Sequence, residues 1–175
     1  MKMKYRVTTL LLAVLLSGCG YHVGSMMHPQ VESIGIAPVV NETAFFNSAA
    51  ALRSLLCETF MTDGSLKLKD MKKADCVLYA RITGIKFKET TISDSSEGHT
   101  DYRAEFTPNQ WKVTVTIQYS VEIPGRAGAL LGTRTASGSA MFESSADMQT
   151  ARENGVRQAL YQAARNITAQ VTEAW

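Results

Sequence analysis

The stretch Trp111–Ile123 reads W-K-V-T-V-T-I-Q-Y-S-V-E-I, and its apolar and polar side chains alternate without a break. A period of two places every second side chain on the same face of a β-strand. The stretch therefore predicts a strand with one face in a hydrophobic core and the other face exposed, as in many antiparallel sheets. Further apolar elements of the chain must then cover its Val and Ile side chains.

Weaker patterns of the same kind predict four more strands around this one. In Asp75–Glu89 the apolar set changes parity after Gly84, which predicts a β-bulge or a bend at that glycine. The remaining predicted strands are Val31–Val40, Ser65–Lys69 and Leu130–Glu143.

Two segments show helical periodicity. The first begins at about Asn47, with Asn47 or Ser48 as its N-cap, and ends at Asp63-Gly64. The second runs from about Ala146 to Trp175, with Asp147 as its N-cap. We expect Val156, Leu160, Ala163, Ala164, Ile167 and Val171 on its buried face, and Arg152, Arg157, Gln158, Arg165 and Gln170 on the opposite face.

The predicted order β–α–β–β–β–β–α has one amphipathic sheet and two amphipathic helices, which bury their apolar faces only against each other. This predicts an α/β (α+β) two-layer sandwich with a mixed four- to five-stranded sheet and both helices on one face. The outer face of the sheet is left uncovered. Residues 31–175 are expected to form this single domain.

The N-terminus is typical of an export signal. Lys2, Lys4 and Arg6 precede an apolar run, which ends in Leu16-Ser17-Gly18-Cys19. This ending resembles a bacterial lipobox, which implies that residues 1–18 are a lipoprotein signal peptide and that Cys19 carries the lipid. The alternatives are an ordinary secretory signal or a single membrane anchor, although the run is short for a span of about 20 residues. Residues 19–30 form a short tether.

Removal of residues 1–18 changes the charge of the chain. The whole chain has 18 basic and 16 acidic residues, whereas residues 19–175 have 15 and 16, because the three removed charges are all basic. A near-neutral exported protein is not expected to bind nucleic acid.

Besides Cys19, the chain has Cys57 and Cys76, which would lie in a compartment that permits a disulfide. We favour two free thiols over a bonded pair.

No set of residues predicts catalysis. The three histidines are His22, His28 and His99, and no pair of His or Cys residues has the spacing of a zinc site. We expect no enzymatic activity, no cofactor and no metal. The candidate contacts are instead basic residues near strand ends, which suit an anionic lipid or a partner, although ordinary solvation is the alternative for each one. They are Lys86, Lys88, Arg103, Lys112, Arg126 and Arg134.

Several stretches, in this order, resemble the LptE family of outer-membrane lipoproteins. They are Cys19-Gly20-Tyr21-His22, Val31–Pro38 followed by Asn41-Glu42-Thr43, Asp63–Leu68, Ala74–Leu78 with Ile82-Thr83-Gly84, and the closing helix up to Trp175. The resemblance implies an outer-membrane location on the periplasmic face, with Gly20 in place of an Asp retention signal. It also implies partnership with the barrel protein LptD as a plug and assembly factor, and possible direct binding of lipopolysaccharide.

Two other functions remain open. The first strand, Ile34–Val39, also resembles lipoprotein activators of peptidoglycan synthases. Such an activator must reach across the periplasm, so the short tether argues against this function. The other alternative is an unrelated structural lipoprotein of the envelope.

Overall fold

A computed structural model describes residues 31–90, 110–143 and 147–173 of the 175-residue chain. Cys19, the tether and Arg103 lie outside the described residues. The described residues form two helices and six strands, in the order β1 (Ser33–Ile36), β2 (Val40–Asn41), α1 (Ser48–Asp63), β3 (Lys67–Leu68), β4 (Cys76–Thr90), β5 (Gln110–Glu122), β6 (Ala129–Glu143) and α2 (Met148–Thr172).

The strands form one mixed sheet in the order β3-β1-β4-β5-β6. Strand β1 is parallel to β3 and β4, whereas β4, β5 and β6 are antiparallel neighbours. The expectation of one continuous first strand is wrong. It divides into β1 and β2, both paired with β4, because Pro38 lies between them and cannot donate a backbone hydrogen bond.

The alternation in β5 is confirmed, since Val113, Val115, Ile117, Tyr119 and Val121 are all buried. The parity change in β4 is confirmed as well, because the β4–β5 register shifts between Ile82 and Gly84. The shift keeps the apolar side chains of β4 on the core face on both sides of the irregularity. The α/β two-layer sandwich is therefore confirmed, with both helices packed on one face.

Helix α2 packs directly on β6 through a seam of small residues. A Cβ atom at Gly138 would overlap the backbone of Ala159 and Ala163, and a Cβ at Gly155 would lie 2.7 Å from Cδ1 of Phe142. Both glycines are therefore required for the close approach of this helix and strand.

The two helices begin differently. As predicted, Asp147 caps α2, since its carboxylate accepts a hydrogen bond from the backbone N–H of Thr150 at 3.0 Å. Asn47 occupies the N-cap of α1 but makes no side-chain cap bond, and its φ of 63° is left-handed. Its position follows from the preceding turn, in which the Asn41 side-chain amide donates to the carbonyl of Phe45 at 2.7 Å.

Ser33 and Asp75 join the starts of β1 and β4. The Ser33 hydroxyl donates to the Asp75 carboxylate at 2.6 Å, and the backbone N–H of Asp75 donates back to that hydroxyl at 3.1 Å. The hydroxyl bond holds the pKa of Asp75 below its ordinary value.

The thiols of Cys57 and Cys76 are both free, and burial raises the pKa of the Cys76 thiol to about 12.

Strand β6 forms one edge of the sheet along its 15 residues. The side-chain amide of Asn166 on α2 donates to the backbone carbonyl of Ser137 at 2.8 Å. This bond satisfies one outward-facing carbonyl of the edge.

We expect the substitution Gly138→Ala to lower the free energy of unfolding by about 1–3 kcal/mol or more, because the new methyl group collides with the backbone of α2. Gly132→Ala is the matched control in the same strand, since a Cβ there has no neighbour within 4 Å. Urea unfolding followed by circular dichroism measures both. Equal midpoints for the two variants would show that α2 does not depend on this contact.

The Asp75 bond predicts a pH-dependent contribution to stability. Because the pKa is lowered from 3.8 on folding, the contribution is present above the unfolded pKa and is lost as the pH falls through the folded pKa. Asp75→Asn should therefore destabilise the neutral protein by less than about 1 kcal/mol, since the carboxylate is exposed. The difference from the unsubstituted protein should shrink in acid, and a constant difference in urea unfolding across this range would contradict the assignment.

Candidate functional site

The long hairpin gives the domain two ends. Residue 31 enters at the end where β4 begins, since Ile34 pairs with Cys76, and we call this the proximal end. The distal end is where β4 finishes at Thr90 and β5 begins at Gln110. Twelve residues separate Cys76 from Lys88, which corresponds to about 40 Å along the strand.

The register of the hairpin brings three of the predicted basic residues together at the distal end. Lys88 lies directly opposite Lys112, and Lys86 lies opposite Thr114 in the next row of the same face. This is the outer face of the sheet, because Val113 on the other side of β5 is fully buried. We call Lys86, Lys88 and Lys112 the lysine cluster.

The lysine cluster has no counter-charge among the described residues. Among the described residues the only ion pair joins Arg81 to Glu42, at 2.8 Å, and it involves none of the three lysines. Like charges directly opposite each other on neighbouring strands are destabilising. A cation pair that costs stability and has no internal anion suits an anionic group supplied from outside the domain.

The two other predicted basic residues that the structure describes lie elsewhere. Arg126 is in the turn between β5 and β6, at the proximal end. Arg134 pairs with Tyr119, in the row that faces the helices. There the Tyr119 hydroxyl donates to Gln170 at 2.5 Å, and burial raises the pKa of the tyrosine despite the nearby guanidinium. The six residues therefore do not form one surface.

On the outer face, the middle of β5 is polar and uncharged. Thr114, Thr116, Gln118 and Ser120 lie in the rows between the lysine cluster and the proximal end, beside hydroxyl side chains of β6. The neighbouring strand β4 presents Arg81 and the exposed Tyr79 on the same face. Near the proximal end the turn that follows β3 covers the face, because a Cβ at Gly35 would lie 2.8 Å from Cα of Met71. Along β5 the uncovered surface is thus a hydroxyl-rich strip that ends at the lysine cluster.

A second cluster at the distal end was missed. Arg152 was expected on the exposed face of α2, but it is half-buried, and its guanidinium carbon lies 5.8 Å from the ring centroids of both Phe87 and Trp111. The helical spacing in the sequence indicates this burial of Arg152. The residue is one helical turn before Val156, on the same stripe as Leu160.

In the described ranges of the chain, no group of three or more His, Cys, Asp or Glu side chains is placed to hold a metal ion. Neither α1 nor α2 is long and apolar enough to cross a membrane.

The chain resembles several solved structures in its fold. No family model matches the chain, and no curated protein matches it. Among solved structures, a Xanthomonas campestris protein has a TM-score of 0.57 at 11% identity, covering 81% of this chain and 84% of its own. A minor lipoprotein from Acinetobacter baumannii has a TM-score of 0.52 at 11% identity, with coverage of 82% and 94%. PelC from Paraburkholderia phytofirmans, a dodecamer, has 0.51 at 9%, with 82% and 90%. At these identities the likeness shows the fold alone.

Lys88→Glu should stabilise the domain by about 0.2–1 kcal/mol, because it replaces a cross-strand repulsion by an attraction to Lys112. The gain should be larger at low ionic strength, where screening is weaker. Lys67→Glu on exposed β3 makes the same change in net charge and serves as the control. Urea unfolding at two salt concentrations measures the effect. A gain of the same size in both variants would attribute it to net charge and not to the lysine cluster.

Proposed function

We propose that this chain is a lipid-anchored lipoprotein of the bacterial outer membrane that partners an LptD-type β-barrel in lipopolysaccharide assembly. The proposed role is to bind and to fill, and it needs no catalytic chemistry. The lipobox ending in Cys19 and the resemblance of the sequence to the LptE family support it. The fold supports it more broadly, because solved structures with this fold include a bacterial lipoprotein.

The observation that carries the proposal is the run of uncharged polar side chains that β5 presents on the outer face. The lumen of a membrane barrel is polar, so a plug must present hydroxyl and amide groups where a core would present Val or Leu. Thr116 and Gln118 are such groups, and the neighbouring Arg81 has its charge compensated by Glu42. A strip of this kind can contact a polar wall without burying an unpaired charge.

The length of the sheet is also consistent with a plug. Strand β4 has 15 residues, which corresponds to about 50 Å of extended chain. A bilayer with its headgroup regions is about 40–45 Å thick. A domain tethered near its proximal end would then extend through a barrel and bring the lysine cluster towards the far leaflet, where phosphate groups of lipopolysaccharide are its proposed contacts.

Photo-crosslinking in intact cells tests the partnership. A photoreactive amino acid at Gln118 on the outer face should capture one large outer-membrane protein, which mass spectrometry identifies as a barrel. Gln158 is the matched control, because it is an exposed glutamine on α2. We expect its yield to be at least several-fold lower. Capture of a peptidoglycan synthase at Gln118, or of no barrel from either position, would reject the proposal. Equal capture of a barrel from both positions would reject only the outer face as the preferred contact.

The anchor is tested separately with Cys19→Ala. This variant should leave the membrane fraction and should lose most of the crosslink at Gln118, because the tether no longer concentrates the domain at the membrane. Membrane retention of an unacylated variant would contradict the lipid anchor while leaving the crosslinking result intact.

A further inference from the structure

Arg152 is held in a cluster of aromatic side chains on the helix-covered side of the distal end. Its guanidinium lies over Phe87 and over Trp111, at 5.8 Å from each ring centroid. Phe87 is itself held by Phe45 at 5.4 Å and by Phe142 at 6.1 Å between ring centroids. Contact with a ring face is a stable arrangement for a guanidinium and fixes its orientation.

Two hydrogen-bond donors of this cluster have no acceptor among the described residues. They are Nε1 of Trp111 and Nε of Arg152, and both atoms are buried. Buried donors in proteins are almost always paired, and an unpaired one costs about 1–3 kcal/mol. The two unpaired donors belong to side chains that contact each other, so they point to an acceptor that the described residues do not supply.

Two carboxylates adjacent to these side chains in the strand pairing or in the sequence do not supply that acceptor. Glu89 is the cross-strand neighbour of Trp111, yet it forms no ion pair with Arg152. Glu153, the next residue in α2, instead accepts a hydrogen bond from the Gln149 side chain at 2.6 Å. Within the described ranges the guanidinium is a cation without an anion.

The arrangement selects the chemistry of the acceptor. The guanidinium lies over the faces of two aromatic rings, which provide no conventional hydrogen-bond acceptor, so its N–H groups are left for a ligand. These groups match the oxygens of phosphate or carboxylate. The indole N–H lies in the plane of a ring that the guanidinium overlies, so the two donors are not coplanar. A tetrahedral phosphate presents oxygens in more than one plane, whereas a carboxylate is planar.

We propose that Trp111 and Arg152 form a binding site for a phosphate group, either free phosphate or the phosphate of a lipid headgroup. The site is separate from the lysine cluster, which lies on the other face of the sheet. It does not depend on the proposed barrel partner. The aromatic contacts have already restricted the arginine, so binding loses less conformational freedom there than at an exposed arginine such as Arg157.

Nuclear magnetic resonance of the full-length chain in maltoside micelles tests the site directly. The chain has two tryptophans, so Trp175→Phe leaves Trp111 as the only source of an indole N–H signal. We expect inorganic phosphate to move the Trp111 indole and Arg152 Nε–H signals downfield together, with a single saturation midpoint. Sodium chloride at matched ionic strength should move neither signal.

Variants and a lipid series sharpen the test. Arg152→Lys keeps the charge but loses the planar edge, and it should weaken binding by roughly tenfold to a hundredfold, the value of a charged hydrogen bond. Arg157→Lys is the matched control and should change the midpoint by less than about twofold.

Short-chain phosphatidate, compared with short-chain phosphatidylcholine, distinguishes a lipid phosphate from free phosphate. A response to phosphatidate alone assigns the site to a lipid phosphate, and a response to inorganic phosphate assigns it to the free ion.

Three results would overturn the proposal. The first is the absence of any shift with both phosphate and phosphatidate. The second is an equal shift with chloride, which indicates screening without a site. The third is a pair of signals that are already downfield in the ligand-free protein and do not move, because an acceptor within the chain would then hold both donors. The measurement on the Trp175→Phe protein decides all three even if Arg152→Lys does not fold.

Discussion

The close contact between β6 and α2 is the constraint on which the rest of the domain depends. Gly138 leaves no room for a side chain between the strand and the backbone of α2, and Ala159 and Ala163 form the other side of the seam. Larger residues would hold the helix away from the sheet and open the core around Val113 and Ile117. Because this seam holds α2 on one face, most of the opposite face stays uncovered, and the hydroxyl-rich strip of β5 lies on it.

Much of this architecture was predictable because it depends on local periodicity. The alternation of β5, the irregularity of β4 at Gly84 and the Asp147 cap each depend on neighbours within a few residues. The division of the first strand at Pro38 was missed, since Pro is tolerated near a strand end and the pattern does not show which edge it occupies. The side-chain bonds of Asn41, and not a cap by Asn47, determine how α1 begins.

The candidate sites were only partly predictable, because they depend on register between distant segments. Lys86 and Lys112 were candidates by residue type, but their proximity to Lys88 requires the pairing of β4 with β5. Arg134 was grouped with them, although its row faces the helices. Arg152 was assigned to solvent because it is charged, yet its spacing from Val156 places it on the buried stripe. The rings of its cluster come from three strands and a turn, which no local pattern connects.

The free edge of β6 has a consequence for the behaviour of the chain by itself. A 15-residue strand with unpaired backbone groups is a template for another strand, and among the described residues a side-chain bond, from Asn166, blocks it at Ser137. Few charged side chains interrupt the strand, so like-charge repulsion offers little protection. The tendency to self-associate will therefore rise with the concentration of the domain. A molecule that covered this edge would raise the solubility of the chain, whatever else it did.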